Sequence, residues 1–383
     1  IDGDGDAPNQ SLTSVDALSS WDVSSVTNMK YMFMYGGITD VDGLSNWQTD
    51  SLQTTQDMFS RCESLSSITG LATWNMSNVH TISGMFSGVQ QTPGLLDYSA
   101  APSFVDIDDI SEWNLSSCKD FSRLFRGQTT LQNVDGLKTW AVFSGDWFTN
   151  MFEDCTALTE VDMSQWTARE KQGDYHPNCD TMFTRCTALQ TLKFGQNFNL
   201  NKVNNLGFAE LESLTVLTGL ENYTYWPSPT GSEYTAGPKL AYMFLGRKLL
   251  PSTGGFETML QTWDVSNAPS LFRMFSNCES LTSLDLTAWN IAKVGSGDWI
   301  YDGPHEMFYG CTSLETVDVS TWQFNYKGPQ RMFTGCSGCK NISLMPVVFS
   351  DIDLPDNHTQ WTLDSMFEGC SSLQSLDLST SDT

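Results

Sequence analysis

Met307-Phe-Tyr-Gly-Cys-Thr-Ser-Leu-Glu-Thr-Val-Asp-Val-Ser-Thr-Trp322 is one unit of a degenerate repeat, and its frame returns along the whole chain. The marker is the pair Met-Phe, at Met32-Phe33, Met58-Phe59, Met85-Phe86, Met151-Phe152, Met182-Phe183, Met243-Phe244, Met274-Phe275, Met307-Phe308, Met332-Phe333 and Met366-Phe367. Leu124-Phe125 is a variant, and Leu206 with Phe208 a worn copy. Eleven residues before the marker stands a tryptophan in six units: Trp21, Trp47, Trp74, Trp113, Trp140 and Trp263. Insertions stretch that interval for Trp166 and Trp289. Self-similarity of this kind is the signature of stacked supersecondary units.

Each unit divides into two elements. Before the tryptophan runs a short alternation, as in Leu281-Thr-Ser-Leu284-Asp-Leu286-Thr-Ala-Trp289, and its equivalents Leu158-Val161-Met163 and Leu314-Val317-Val319. Period two over so few residues predicts a strand. After the tryptophan, Val26, Met29, Met32 and Phe33, like Val79, Ile82, Met85 and Phe86, recur at helical spacing. Ser24, Asp50, Ser77, Ser116 and Ser266 stand where a helix N-cap belongs. Gly88, Gly127, Gly246, Gly310, Gly335 and Gly369, three residues past the marker, suit a helix stop because glycine takes positive φ without penalty. The expected fold is an α/β solenoid: a right-handed parallel β-solenoid with short helices and about twelve coils. Residues 1–10 read as an acidic linker and 11–383 as a single solenoid, with insertions around 89–103, 167–180, 221–240, 290–305 and 345–360.

The pattern L-x-x-L-x-L-x-x-W, followed by V-T-N-M-x-x-M-F-x-x-C-x-x-L, resembles the BspA-like leucine-rich repeat family, in its surface protein repeat branch. Ser20-Trp-Asp-Val-Ser-Ser-Val-Thr-Asn-Met-Lys-Tyr-Met-Phe33 and the 307–322 segment carry the resemblance most clearly. It implies an extracellular or cell-surface solenoid used in adhesion or protein contact, with no shared catalytic residues. The long insertions depart from the family's tight pattern, so no particular partner is implied.

Charge narrows the function classes. The 383 residues hold 45 acidic and 19 basic side chains, a formal net charge of −26. Such a surface repels phosphate backbones and anionic headgroups, which argues against nucleic acid and direct membrane binding and favours cations or basic protein surfaces. No run of 18 apolar residues exists to form a membrane-spanning helix. Ile1 in place of a methionine implies a mature or excised form.

The ten cysteines follow the repeat rather than a disulfide framework. Cys62, Cys155, Cys186, Cys278, Cys311, Cys336 and Cys370 lie four residues after the marker methionine, while Cys118, Cys179 and Cys339 replace apolar repeat residues. These are core positions, where a thiol behaves as a small hydrophobe. Stack neighbours such as Cys336 and Cys370 are the pairs that bridging would join. Cys336-Ser-Gly-Cys339 lacks the second pair or histidine that a zinc site needs. His80, His176, His305 and His358 sit in unrelated contexts, outside any H-E-x-x-H motif. The chain is expected not to be an enzyme and to need no cofactor, calcium excepted.

Three features are candidates for function. Asp16, Asp42, Asp108, Asp135, Asp162, Asp285, Asp318 and Asp377 occupy the slot between alternating apolar residues and should form an outward column. At a coil spacing of about 4.8 Å it is either a solvated acidic ladder or a site for calcium or a basic partner. Tyr223, Tyr225, Trp226 and Tyr234 in the 221–240 insertion either stack on a sugar or anchor a partner, or tuck back as a worn repeat. The strands nearest the termini lack amphipathic caps, which leaves two alternatives: a longer natural chain, or copies stacking head to tail into a filament. Sequons at Asn9, Asn75, Asn114, Asn222, Asn341 and Asn357 would accept glycans in a eukaryotic host. The expected function is adhesion or protein–protein assembly; a filament subunit and a carbohydrate-binding module are the alternatives.

Overall fold

The computed structural model describes residues 10–88, 90–92, 95–97, 101–166, 177–195, 208, 211–221, 240–246, 255–268, 270–291, 294, 303–324, 328–344 and 363–377. The chain forms two compact units, 1–199 and 200–383.

In the first unit the half-coil that carries the marker is a run of turns, not the helix that the three-residue spacing predicts. The N–H groups of Met29, Tyr31, Phe33 and Tyr35 donate to Thr54, Gln56, Met58 and Ser60 of the next coil, at 2.9–3.0 Å. Between them, Met32, Met34 and Gly36 donate to the carbonyl three residues back, in Met29, Tyr31 and Phe33. Every second amide thus ties coil to coil, which leaves no continuous i→i−4 series. The backbone reaches this geometry through two left-handed residues per coil. One precedes the marker, as at Tyr31, Asp57 and Arg123, and one follows it by three, as at Tyr35, Arg61, Asp154 and Arg185. A left-handed residue every four positions is incompatible with an α-helix. The glycine position therefore does require positive φ, at Gly127, Gly246, Gly310, Gly335 and Gly369, but as part of a stacked turn.

The half-coil before the tryptophan is also corrected in part. Asp16–Leu18, Asp42–Leu44, Thr69–Leu71, Asp108–Ile110 and Asp135–Thr139 are 3₁₀ turns, not strands. In these coils the inward residues are three apart, as in Val41 and Leu44, and the Leu44 N–H closes onto the Val41 carbonyl at 2.9 Å. Where the interval is two, as in Val161 and Met163, a strand forms. The 89–103 insertion holds an antiparallel hairpin of β1 (Gln90–Thr92) and β2 (Leu95–Asp97). Further on, β3 (Glu160–Met163) pairs in parallel with β4 (Thr191–Phe194), with Val161 opposite Leu192.

The second unit contains β5 (Val216–Thr218) and, among the described residues, the chain's one α-helix, α1 (Gly255–Gln261). A four-stranded parallel sheet follows: β6 (Ser283–Asp285), β7 (Thr316–Val319), β8 (Asn341–Leu344) and β9 (Ser375–Asp377).

Inside each unit like residues stack on like. The marker rings Phe33, Phe59, Phe86, Phe125, Phe152 and Phe183 lie 5.6–6.0 Å apart, nearly parallel. In the second unit Phe208, Phe244, Phe275, Phe308, Phe333 and Phe367 do the same at 5.4–5.9 Å, so Phe208 does fill the marker position of its worn unit. Among the described residues each buried tryptophan also donates its indole N–H to a carbonyl of the preceding coil, as Trp140 does to Ile110 at 3.0 Å and Trp322 to Leu286 at 3.0 Å. One side chain thus supplies apolar area and satisfies a polar atom that coil stacking would leave buried.

The cysteines are a third ladder. All ten are unbridged; nine are buried and Cys370 is half-buried. The reading of these thiols as plain hydrophobes is incomplete. The Sγ of Cys62 donates to the Phe33 carbonyl at 3.0 Å, and Cys155, Cys186, Cys278, Cys311, Cys336 and Cys370 repeat that bond to the marker phenylalanine of the preceding coil. Gln128, which replaces cysteine in its coil, makes the same bond through Nε2 to Phe86.

Candidate functional site

The predicted aspartates all lie on the outward side, but they do not form one column of like charge. Asp16, Asp42, Asp108 and Asp135 are exposed, each opening a 3₁₀ turn, and Thr69 interrupts the series. Asp162, on β3, faces Lys193 across the ladder. Lys193 Nζ lies 3.7 Å from its carboxylate and 2.8 Å from Glu160, while Lys138 Nζ reaches it at 3.9 Å and Asp135 at 2.7 Å. Burial works to raise the Asp162 carboxyl. Its hydrogen bonds from Ser164 and the two lysines outweigh that and hold it below the usual carboxylate range. This part of the ladder is neutralised internally.

In the second unit Asp285 and Asp318 are register partners on β6 and β7, Asp318 pairs with Ser343, and Ser343 with Asp377. Asp285 and Asp318 thus stand directly opposite one another across the ladder. A shallow cavity of about 300 Å³ opens over this face, lined by Glu257, Asp285, Thr316, Asp318, Asn341 and Ser343 among others. Glu257 comes from α1, whose Phe256, Met259 and Leu260 are buried. Its Oε1 accepts the Asp285 N–H at 2.7 Å, covering the edge of the sheet. Gln261 Nε2 donates to Asp285 Oδ2 at 3.2 Å, and the Thr287 N–H and hydroxyl donate to Oδ1 at 2.9 and 2.6 Å. Among the described residues Glu257, Asp285 and Asp318 make no ion pair with lysine or arginine. Sequence reasoning missed Glu257; the i, i+3, i+4 spacing of Phe256, Met259 and Leu260 was the available signal.

A few carboxylates of the first unit are matched by arginine. Arg126 Nε lies 2.6 Å from Glu153 Oε2, and Arg185 bridges Glu153 Oε1 at 2.7 Å and Asp154 Oδ1 at 2.5 Å. Among the described residues no group of three or more His, Cys, Asp or Glu is arranged to hold a metal ion. Tyr223, Tyr225, Trp226 and Tyr234 lie outside the described residues, as do Asn9, Asn222 and Asn357. Asn75, Asn114 and Asn341 are exposed, although Asn75 also donates to Asp50 and Asn341 accepts from Ser375, both at 2.6 Å.

Coils tied amide by amide in parallel, with aromatic, indole and thiol ladders inside, define a repeat solenoid of stacked coils. Residues 9–94, 96–214 and 239–345 match the family described as "Mycoplasma protein of unknown function, DUF285", and the chain belongs to that family. That description assigns no activity and does not name the BspA-like branch. No curated protein matches. Solved structures with similarity include a leucine-rich repeat protein from Bacteroides ovatus (13% identity, TM-score 0.28, covering 80% of this chain and 82% of that one). A leucine rich cell surface protein from Faecalibacterium prausnitzii gives 12% identity and a TM-score of 0.24, covering 80% of this chain and 76% of that one. TLR13 in complex with ssRNA13 gives 11% identity and a TM-score of 0.26, with 92% of this chain covered but only 54% of that one, about half its length. At such TM-scores the superpositions add nothing to the fold assignment, which rests on the coil-to-coil ladders. Among the described residues no helix is long and apolar enough to cross a membrane.

Proposed function

We propose that this chain is a non-enzymatic protein-interaction solenoid, working outside the cell or at its surface in adhesion or assembly, and that the face of β6–β9 receives a basic partner surface. The observation that carries this reading is the pair Asp285 and Asp318, held in register beside Glu257 over an open cavity. Like charges opposite one another on a sheet destabilise it, and a cation between them relieves that cost. A lysine- or arginine-bearing protein segment suits a shallow, open groove. Calcium is the alternative ligand of the same carboxylates, and it would need further oxygens from water or from its partner to reach six to eight ligands.

The test is titration calorimetry of the purified chain with hexalysine and, separately, with calcium chloride, repeated on Asp285→Asn/Asp318→Asn. Hexalysine binding that falls severalfold in the double variant, and weakens with salt, supports the reading. Binding unchanged by the double variant refutes it.

A further inference from the structure

One coil of the first unit breaks the repeat's polar outer face with two aromatic residues. The outward position four residues before the marker is Asn28, Thr54, Thr81, Asp120 and Asn178 in the other coils, joined by parallel bridges into one column. In each, the side-chain oxygen accepts the N–H two residues on, at 2.9–3.2 Å. The coil from Trp140 to Met151 puts Trp147 there, with bridges to Asp120 and Asn178 on either side. Trp147 has no oxygen to make that bond and is 45% exposed. Four residues earlier, where other coils carry Ser24, Asp50, Ser77, Ser116 and Ser266, stands Phe143, 49% exposed. The coil thus forgoes a local hydrogen bond, worth about 0.5–1.5 kcal/mol, and leaves about half of each ring in solvent. A local loss that leaves two large rings half exposed marks a surface kept for contact.

The surroundings of the indole state the chemistry of the partner. Asp120 is the bridge partner of Trp147 in the preceding coil, which sets a carboxylate beside the indole on the outward side. Lys119 is the exposed cation beside them. An exposed indole beside a carboxylate suits a planar guanidinium, which stacks on the ring while its N–H groups reach acceptor oxygens. We infer that Trp147, supported by Phe143 and the Asp120 carboxylate, is a docking site for an arginine side chain of a protein partner. The inference rests on the protein-interaction reading but uses a different surface from the β6–β9 face.

The test uses the full chain with hexa-arginine and hexalysine peptides, measured by titration calorimetry. The variants are Trp147→Thr and Phe143→Ser, which restore residues that other coils carry and so keep the fold; circular dichroism and the thermal midpoint verify this. Asp285→Asn/Asp318→Asn is measured alongside. The expected result is tighter binding of hexa-arginine than of hexalysine, with Trp147→Thr weakening hexa-arginine about tenfold. If hexa-arginine binding survives Trp147→Thr but is lost in the aspartate double variant, the arginine site is refuted and the interaction reading stands. If neither peptide binds the unaltered chain, both fail. If Trp147→Thr abolishes binding to an oligosaccharide panel while hexa-arginine shows no response, the aromatic pair is a carbohydrate platform and the inference is overturned.

Discussion

Gly70, in the half-coil before the tryptophan, and Gly335, in the marker half-coil, are glycine for different physical reasons, and replacing each with alanine separates them. Gly335 has φ +77°, and a Cβ there would meet only the Gly310 Cα and N at 3.5 Å, an ordinary contact. Its substitution cost is torsional, about 1–2 kcal/mol for an L-residue in the left-handed region, less some tenths regained from the unfolded chain. Gly70 has no such torsional demand. Its Cβ would fall on the backbone carbonyl of Val41 in the preceding coil. Gly70→Ala can be accommodated only by moving the coils apart. That movement weakens the Trp74 indole bond to Leu44, now 3.2 Å, and the Trp47–Trp74 stack at 6.0 Å. With about 1 kcal/mol for the hydrogen bond, 0.5–1.5 for the stack and 1–3 for overpacking, the expected loss is roughly 3–5 kcal/mol. Urea unfolding followed by tryptophan fluorescence and circular dichroism reads both variants. Gly335→Asn should lie nearest the unaltered chain, since Asn277 holds the same repeat position at φ 58°. A Gly70→Ala cost no larger than that of Gly335→Ala would refute the claim that coil spacing, not backbone freedom, dictates glycine at position 70.

Two further outcomes follow from titratable groups that are buried or half-buried. Burial raises the Asp57 carboxyl above its usual range, with Arg123 opposing, so the folded state binds its proton more tightly than the unfolded chain does. Stability from this group is then present at low pH and lost as pH rises through the folded value. Asp57→Asn should therefore stabilise the fold at neutral pH, with the gain shrinking below the carboxylate range. Melting curves from pH 3.5 to 7.5 test this, and a gain that grows on acidification contradicts the sign. Burial likewise pushes the Cys62 thiol up to about 12 and Cys339 up to about 11. Iodoacetamide at pH 8 should modify half-buried Cys370 first and Cys62 only after denaturation. Peptide mass spectrometry showing Cys62 labelled as fast as Cys370 would overturn the thiol-ladder description.

Some of the fold was legible but misread. Val41 and Leu44 are three residues apart while Val161 and Met163 are two apart, and that difference separates 3₁₀ turns from strands. The helix expected after the tryptophan came from a three-residue spacing that stacked turns share with helices. Its resolution lies in amides whose partners sit a whole coil away. In the acidic column, the sequence showed a carboxylate in eight of the slots. It could not show that Lys193 and Lys138 neutralise Asp162, because pairing depends on which residue of the next coil falls opposite.

By itself the sequence determined that this is a stack of like coils, with phenylalanine, tryptophan and cysteine inside and aspartate outside, because the apolar pattern repeats at a fixed interval from the Met-Phe marker. Only the tertiary structure decided that the marker half-coil is turns, that the thiols are donors and that Asp285 meets Asp318 while Asp162 meets Lys193. Hydrogen bonds and charge pairs between coils depend on register, and register is set by how successive coils, with insertions of unequal length between them, settle on one another.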